Sequence, residues 1–338
     1  LRSSASGRVE GFLVIADIQT HDQQKTILSG NTRVLNSRLK DAIFFYQNDL
    51  ELVKRQGMRT WNEKLKDVRF HEKLGSQYNR VERIVKISAI LAAQFELERD
   101  EVSTAATLIK ADLVSNVVAE FPSLQGIMGA HYAKAEGFEK MVSDAIRDHY
   151  LPVGSNDVVP KHPLSIVLSL SDKIDYLTSL WKIGIKPTGN KDPFALRRSA
   201  LGLIRIIIEN DIRISLSDIL ALGNDGADIE DLKYFIHQRM KVFLRDQSLR
   251  HDLINACLSL DEGEDIALAV KKSFALTDFI KTSDGSNLIQ GFKRANNILL
   301  QAEQKDGVEY SYGADSKYAE EGAERNLFYA LDLSLIHI

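Results

Sequence analysis

Apolar residues recur at three- and four-residue spacing along most of the chain, the mark of helices that bury one face. The spacing predicts helices over residues 33–48, 81–95, 102–121, 136–150, 163–181, 193–210, 228–244, 251–260, 266–281 and 286–304. In the first of these Val34, Leu35, Leu39, Ala42, Ile43 and Tyr46 carry the pattern, and Ser29, Gly30 and Asn31 ahead of it read as a turn. Pro122, the 152–163 stretch, residues 186–193 and the 223–226 segment with its two glycines punctuate the series. Residues 11–19, GFLVIADIQ, break the pattern: short, apolar and β-branched, they read as a strand parted from its sheet neighbours. A mainly α chain with a remnant of an α/β region at its start follows, with no internal repeat.

Length changes this picture by requiring more than one core. The 338 residues exceed the roughly 100–200 of an ordinary domain, so two or three domains are expected. Hydrophobic residues at 44% and charged residues at 27% exclude a disordered or collagen-like chain. The single cysteine, Cys257, excludes an internal disulfide, and its place in the apolar pattern LINACLSL predicts a packed core residue rather than a nucleophile. No apolar run approaches the roughly 20 residues of a membrane span, which fits a reducing, cytoplasmic setting. A net charge of -4 excludes a general polycation, so any nucleic-acid contact must be local. The chain opens on Leu1 without a signal or targeting pattern, and reads as starting inside a longer protein.

Candidate chemistry gathers in two places. In residues 186–209, KPTGNKDPFALRRSALGLIRIIIE, Asp192 is placed as an N-cap and Pro193 as the first helical residue. Lys186 and Lys191 then lie in the entering loop. Arg197 and Arg198 fall in the first turns, where the helix dipole disfavours cations, which points to an anionic partner, phosphate or carboxylate. The alternative reading puts Arg198 and Arg205 on a solvated face, with Arg205 paired to Glu209 and Leu201, Ile204 and Ile208 in the core. The loop lacks P-loop spacing.

The second place joins His71, Asp112, His131 and Asp172, with Asp175 nearby, on successive helical segments. Imidazoles and carboxylates so dispersed are how helical metal phosphohydrolases build a divalent-ion site. Against this, Asp172 and Asp175 can form a solvated helix face, and His71 and His131 can be partly buried, satisfied side chains. No G-x-S-x-G, H-E-x-x-H or G-x-G-x-x-G occurs.

The stretch KPTGNKDPFALRRSALGLIRIIIE resembles the beta-subunit family of the bacterial type of glycyl-tRNA synthetase. The resemblance extends in order through SGNTRVLNSRLKDAIFFYQNDL (29–50), FHEKLGSQYNRVERI (70–84), AATLIKADLVSNVVAEFPSLQGIMGAHYA (105–133) and HPLSIVLSLSDKIDYL (162–177). FALTDFIKTSDGSNLIQGFKRANNIL (274–299) is similar to the opening helices of that family's anticodon-binding domain.

The resemblance implies an end of an N-terminal α/β region over 1–48, an HD-like helical body over 49–262 and an incomplete anticodon-binding domain over 263–332. Residues 333–338, LSLIHI, read as translated adapter DNA, a non-native tail. It further implies a tRNA-binding subunit that supports ATP-dependent attachment of glycine to its tRNA, in an assembly of two alpha and two beta chains. The alpha chain would carry the aminoacylation site with ATP, glycine and Mg2+, and this chain would carry no catalytic residue and no cofactor. The HD superfamily's His-Asp doublet is Ala111 and Asp112 here, so one ligand is lost and the positions His71, Asp112, His131 and Asp172 are degenerate. Lys186, Lys191, Arg197 and Arg198 become candidates for tRNA backbone or subunit contact, and Lys293, Arg294 and Asn297 their counterparts in the anticodon-binding segment. Phe279 could stack an unpaired base, though a core contact is the simpler expectation. From Glu303 on, acidic Glu303, Asp306, Glu309, Asp315, Glu320, Glu321 and Glu324 outnumber Lys305, Lys317 and Arg325, which argues against RNA contact there. A metal phosphohydrolase and a non-catalytic helical RNA-binding module remain the alternatives.

Overall fold

The computed structural model describes residues 11–18, 20–223, 226–258, 264–310, 317, 319 and 322–336. The chain separates into two compact units, residues 1–273 and 274–338, the division falling within one helix. Apart from one two-stranded antiparallel hairpin and isolated bridges, the regular structure of the described residues is helical. Residues 11–18 form no strand. A strand is stable only when its amides pair with a neighbour, and Leu13 and Ile15 are left 76% and 90% exposed.

The first unit begins with α1 (Lys25–Gln56). The expected turn at 29–31 is absorbed into this helix, where Asn31 Nδ2 donates to Ile27 O at 2.9 Å. Leu28, Val34, Leu35, Leu39 and Ile43 stay exposed, while the last third of the helix is anchored through Asp49. That buried carboxylate accepts from the amides of Asn116 and Val117, each at 3.0 Å, and from the Tyr132 hydroxyl at 2.9 Å. It therefore satisfies the free amides at the start of α5 (Asn116–Glu120), which would otherwise be orphaned.

The helix expected over 102–121 is broken into α4 (Arg99–Leu108), a 3-10 turn at Ala111–Val114, and α5. The one expected over 136–150 shortens to α7 (Lys140–Asp148), because Gly137 at φ +99° ends α6 (Ile127–Glu136). α2 (Met58–Lys64) leads into the hairpin β1 (Arg69–His71) and β2 (Gly75–Ser76), too short for its sequence pattern to announce. Ser76 then caps α3 (Gln77–Leu91) in a reciprocal box with Asn79.

The hub is α8 (Pro163–Lys182), packed against α3, α4, α7, α9 (Leu196–Glu209), α10 (Leu216–Leu222) and α11 (Ile229–Asp246). Pro163 occupies its first turn and nearly every later residue is buried. A helix covered on all sides should be apolar all round. Besides buried serines and a threonine that can bond within the fold, Asp172, Lys173 and Asp175 at its middle are its buried charged residues, and they define the site. α12 (His251–Leu258) carries Cys257 in the core, as its pattern predicted.

α13 (Ile266–Ile280) spans the division. The second unit continues with α14 (Ser283–Asp306), capped by Thr282, and α15 (Gly322–Ile336). Of α14 only Gly285 is buried, and Phe292 is 71% exposed. The closing 333–336 segment continues α15, whereas residues 337 and 338, and the domain edge expected at 262/263, lie outside the described residues. No helix among the described residues is long and apolar enough to cross a membrane.

Candidate functional site

Arg80 occupies the stripe of α3 that Ile84, Ile87 and Leu91 carry into the core, and is only 8% exposed. Its Nη2 donates to Asp172 Oδ1 at 2.9 Å and its Nε lies 3.3 Å from Asp175 Oδ2. The guanidinium lies over the rings of Phe70, from β1, and Tyr176, at 4.7 and 5.0 Å. Arg83, one turn on, adds a second bond to Asp175 at 2.5 Å. Asp172 also holds Lys110, 1% exposed, at 3.0 Å, and Lys110 Nζ lies 2.9 Å from His149 Nε2.

The electrostatics follow from this crowding of cations around one carboxylate. Burial alone would raise the Asp172 pKa, but Arg80, Lys110, His149 and Lys173 outweigh it and hold the group below the usual carboxylate range. Burial lowers Lys110 to about 7 and Lys173 to about 8, Asp172 opposing in both cases. Burial and the adjacent Lys110 hold His149 well below its ordinary value, in the neutral form. A divalent ion would enter against this positive charge.

The four residues expected to converge do not do so. Asp112 is buried and its Oδ2 accepts from the amides of Gly126 and Gly129 at 2.6 and 3.0 Å, capping α6. Burial raises its pKa to about 6. Gly129 is required there, since a Cβ would stand 2.8 Å from Ile146 Cγ2 and 3.1 Å from Asp112 Oδ2. His71 is half-buried on β1, its Nδ1 accepting from the Lys73 amide at 3.2 Å, and His131 is exposed on α6 rather than partly buried. Asp172 and Asp175 are 6% and 1% exposed, so the solvated-face expectation for them is overturned. No group of three or more His, Cys, Asp or Glu among the described residues could share a metal ion, and these residues do not fit one.

The loop before α9 differs in detail from expectation. The helix begins at Leu196, not Pro193, behind Ala195 in the left-handed region at φ +53°. Asp192 still caps it, accepting from the amides of Leu196 and Arg197 at 2.8 and 2.9 Å. Lys186 is paired with Asp231 of α11 at 2.5 Å, which also accepts from Trp181 Nε1. Lys191 is exposed, and its backbone bridges Thr188. Arg197 donates to Gly189 O at 2.6 Å, and burial together with Arg197 and Arg245 lowers the pKa of Arg239 on α11. Arg198 is exposed and its guanidinium makes no hydrogen bond or ion pair among the described residues. Arg205 is not on a solvated face: besides Glu209 it binds Gly154 O and Asp157 O at 3.1 and 2.8 Å, tying down the 151–160 loop.

In the second unit Lys293, Arg294 and Asn297 are exposed along α14, the first and last one turn apart. Phe279 is 43% exposed, so the simpler expectation of a core contact fails.

Sequence reading missed Arg80, Lys110, His149 and Lys173 in the cluster, and Arg239 and Arg245 beside the loop. Arg80 had a legible signal, a cation on the apolar stripe of its helix; Lys110 and Lys173 differed from surface lysines only in their tertiary surroundings.

A family model described as "Glycyl-tRNA synthetase beta subunit" matches residues 3–259. The chain is 50% identical over 332 residues to a glycine–tRNA ligase beta subunit of Ruegeria sp. (strain TM1040), covering 98% of the chain and 48% of the relative. It is 51% identical over 331 residues to that of Paracoccus denitrificans (strain Pd 1222), covering 98% and 48%. Against that of Rhodospirillum centenum (strain ATCC 51521 / SW) it is 43% identical over 332 residues, covering 95% and 46%. The chain thus spans about half the length of these relatives.

Proposed function

The chain belongs to the glycyl-tRNA synthetase beta-subunit family, and on that premise we propose that the protein is the tRNA-binding beta subunit of a glycine–tRNA ligase. It supports ATP-dependent attachment of glycine to tRNA, while a cognate alpha subunit carries the aminoacylation site with ATP, glycine and Mg2+. The assembly is two alpha and two beta chains in the cytoplasm. Within it, residues 1–48 close an α/β region, 49–262 form an HD-like body and 263–332 open the anticodon-binding domain.

One observation carries the binding role. In a chain of net charge -4, Lys191 and Arg198 stand exposed on the loop and helix start that also carry Arg197, whose charge, with Arg245 and against Asp192, acts on Arg239 of α11. Lys191 and Arg198, whose side chains make no internal bond among the described residues, favour an anionic polymer, and phosphates neutralised there would position the tRNA rather than read it. Lys293, Arg294 and Asn297 supply a second contact in the anticodon-binding segment. Lys186, engaged by Asp231, belongs to the scaffold of the loop.

The metal phosphohydrolase alternative is not favoured. Asp172, the carboxylate it needs, is taken by Arg80 and Lys110.

Reconstitution tests the proposal. The full-length beta chain, mixed with its cognate alpha chain, ATP, glycine and glycine tRNA, should charge the tRNA, and omission of the beta chain should abolish charging. Equal charging with the alpha chain alone would overturn it.

A further inference from the structure

Between α3, α8 and the first turn of α9 lies a pocket of about 330 Å3, at the small end of the roughly 300–1,000 Å3 that small-molecule sites occupy. Arg80, Lys173 and Arg198 contribute three cations to its walls, and Asp172 the one carboxylate. Tyr176 and Phe194 form an aromatic side, held together by a 2.9 Å hydrogen bond from the Tyr176 hydroxyl to Phe194 O.

The cations are built in rather than scattered on a surface. Lys173 is 5% exposed, and its ammonium donates to Tyr150 O and Leu151 O at 3.2 and 3.1 Å, leaving one proton uncommitted. Gly202 makes room for this side chain, since a Cβ there would stand 2.6 Å from Lys173 Cε. Arg80 is fixed by Asp172 and Asp175, and its Nη1 makes no hydrogen bond among the described residues. Arg198 stands exposed at the mouth without a partner. Asp175 offsets Arg80, but Asp172 is shared among Arg80, Lys110 and Lys173, so burying these cations beside Arg198 costs free energy that a bound anion would offset.

We propose that this pocket binds a nucleoside phosphate, with the phosphate between Arg198 and Lys173 and the base against Phe194 and Tyr176. Guanidinium and ammonium donors suit phosphate oxygens, and an aromatic wall suits a planar base. The ligand is either a free mononucleotide or an unpaired nucleotide of a bound RNA, which present the same groups. The free-nucleotide case does not depend on the tRNA-binding reading.

The test is calorimetric titration of the full-length beta chain, without the alpha subunit, with each of the four ribonucleoside 5′-monophosphates. At least one should bind with a stoichiometry of one per chain and more tightly than its nucleoside or inorganic phosphate. Arg198→Glu should weaken it by about tenfold or more, with melting temperature unchanged because the side chain is exposed. Displacement of the nucleotide by saturating tRNA would assign the site to an RNA nucleotide, and persistence beside tRNA would assign it to a free one. Failure of all four to bind at millimolar concentration, or binding that Arg198→Glu leaves unchanged, overturns the proposal.

Discussion

Lys110 Nζ stands 3.0 Å from Asp172 Oδ1, so a carboxylate expected as a candidate metal ligand instead neutralises a buried lysine. The same oxygen accepts from Arg80. The carboxylate is thus satisfied by two buried cations of the chain itself rather than left open to a metal ion.

Asp172→Asn should be among the most damaging single changes to the fold. It removes one negative charge and leaves Arg80 and Lys110 buried, with only Asp175 still touching Arg80. Breaking such a buried pair costs about 3–5 kcal/mol. Urea denaturation of the full-length chain checks this, and a loss below about 1 kcal/mol would show that water or a rearrangement already offsets those charges.

Asp112 sets a pH dependence of opposite sense to that of most paired carboxylates. Its folded-state pKa is raised to about 6 from 3.8, chiefly by burial. Between those values the folded state binds more protons than the unfolded one, so stability is fully present below about pH 4 and declines as pH rises through about 6. Asp112→Asn keeps an oxygen for the Gly126 and Gly129 amides without the buried charge. It should flatten that slope and match or exceed the parent at pH 7, by up to about 1–3 kcal/mol. Thermal melts from pH 4 to 8 decide it, and a variant less stable at pH 7 with its slope intact would refute the assignment.

The helical framework was legible because its apolar spacing is local, and α8, α11 and α13 follow it closely. The errors lie where a local signal met a tertiary one. Ser29 to Asn31 reads as a turn, yet helix propagation through α1 costs less than breaking it, and Asn31 bonds back to Ile27 O. The expected strand at 11–19 depends on a partner no window of sequence contains. In the site, Asp112 and Asp172 read as candidate metal ligands, but their partners, the Gly126 and Gly129 amides and Arg80 with Lys110, come from distant segments. Arg205 and Glu209 show both levels at once: the i,i+4 pair was legible, while the bonds to Gly154 O and Asp157 O that bury the arginine were not.

Gly202→Ala should act through Lys173. The new Cβ would stand 2.6 Å from Lys173 Cε and 3.0 Å from Pro152 O, and the second contact is backbone that cannot swing away. Overpacking of this kind costs about 1–3 kcal/mol. Because both changes act on one side chain, Gly202→Ala combined with Lys173→Ala should destabilise by less than the sum of the two alone. Additive losses in denaturant melts would mean that Pro152 O, not the lysine, sets the limit.

The basic residues of the 186–198 segment should separate into two classes under salt. Lys191 and Arg198 present charges without internal partners, whereas Lys186 is engaged by Asp231 and Arg197 by Gly189 O. A cation that neutralises a phosphate releases a counterion when it binds, so its removal lowers the slope of log affinity against log salt by roughly one. Lys191→Ala and Arg198→Ala should each do so in tRNA binding by the alpha and beta chains together, and the double change should lower the slope by roughly two. Lys186→Ala should leave the slope unchanged and lower the melting temperature, because its ammonium holds the loop to α11. Equal slopes in all of these variants would return Lys191 and Arg198 to a merely solvated face and move the search for the tRNA surface to α14.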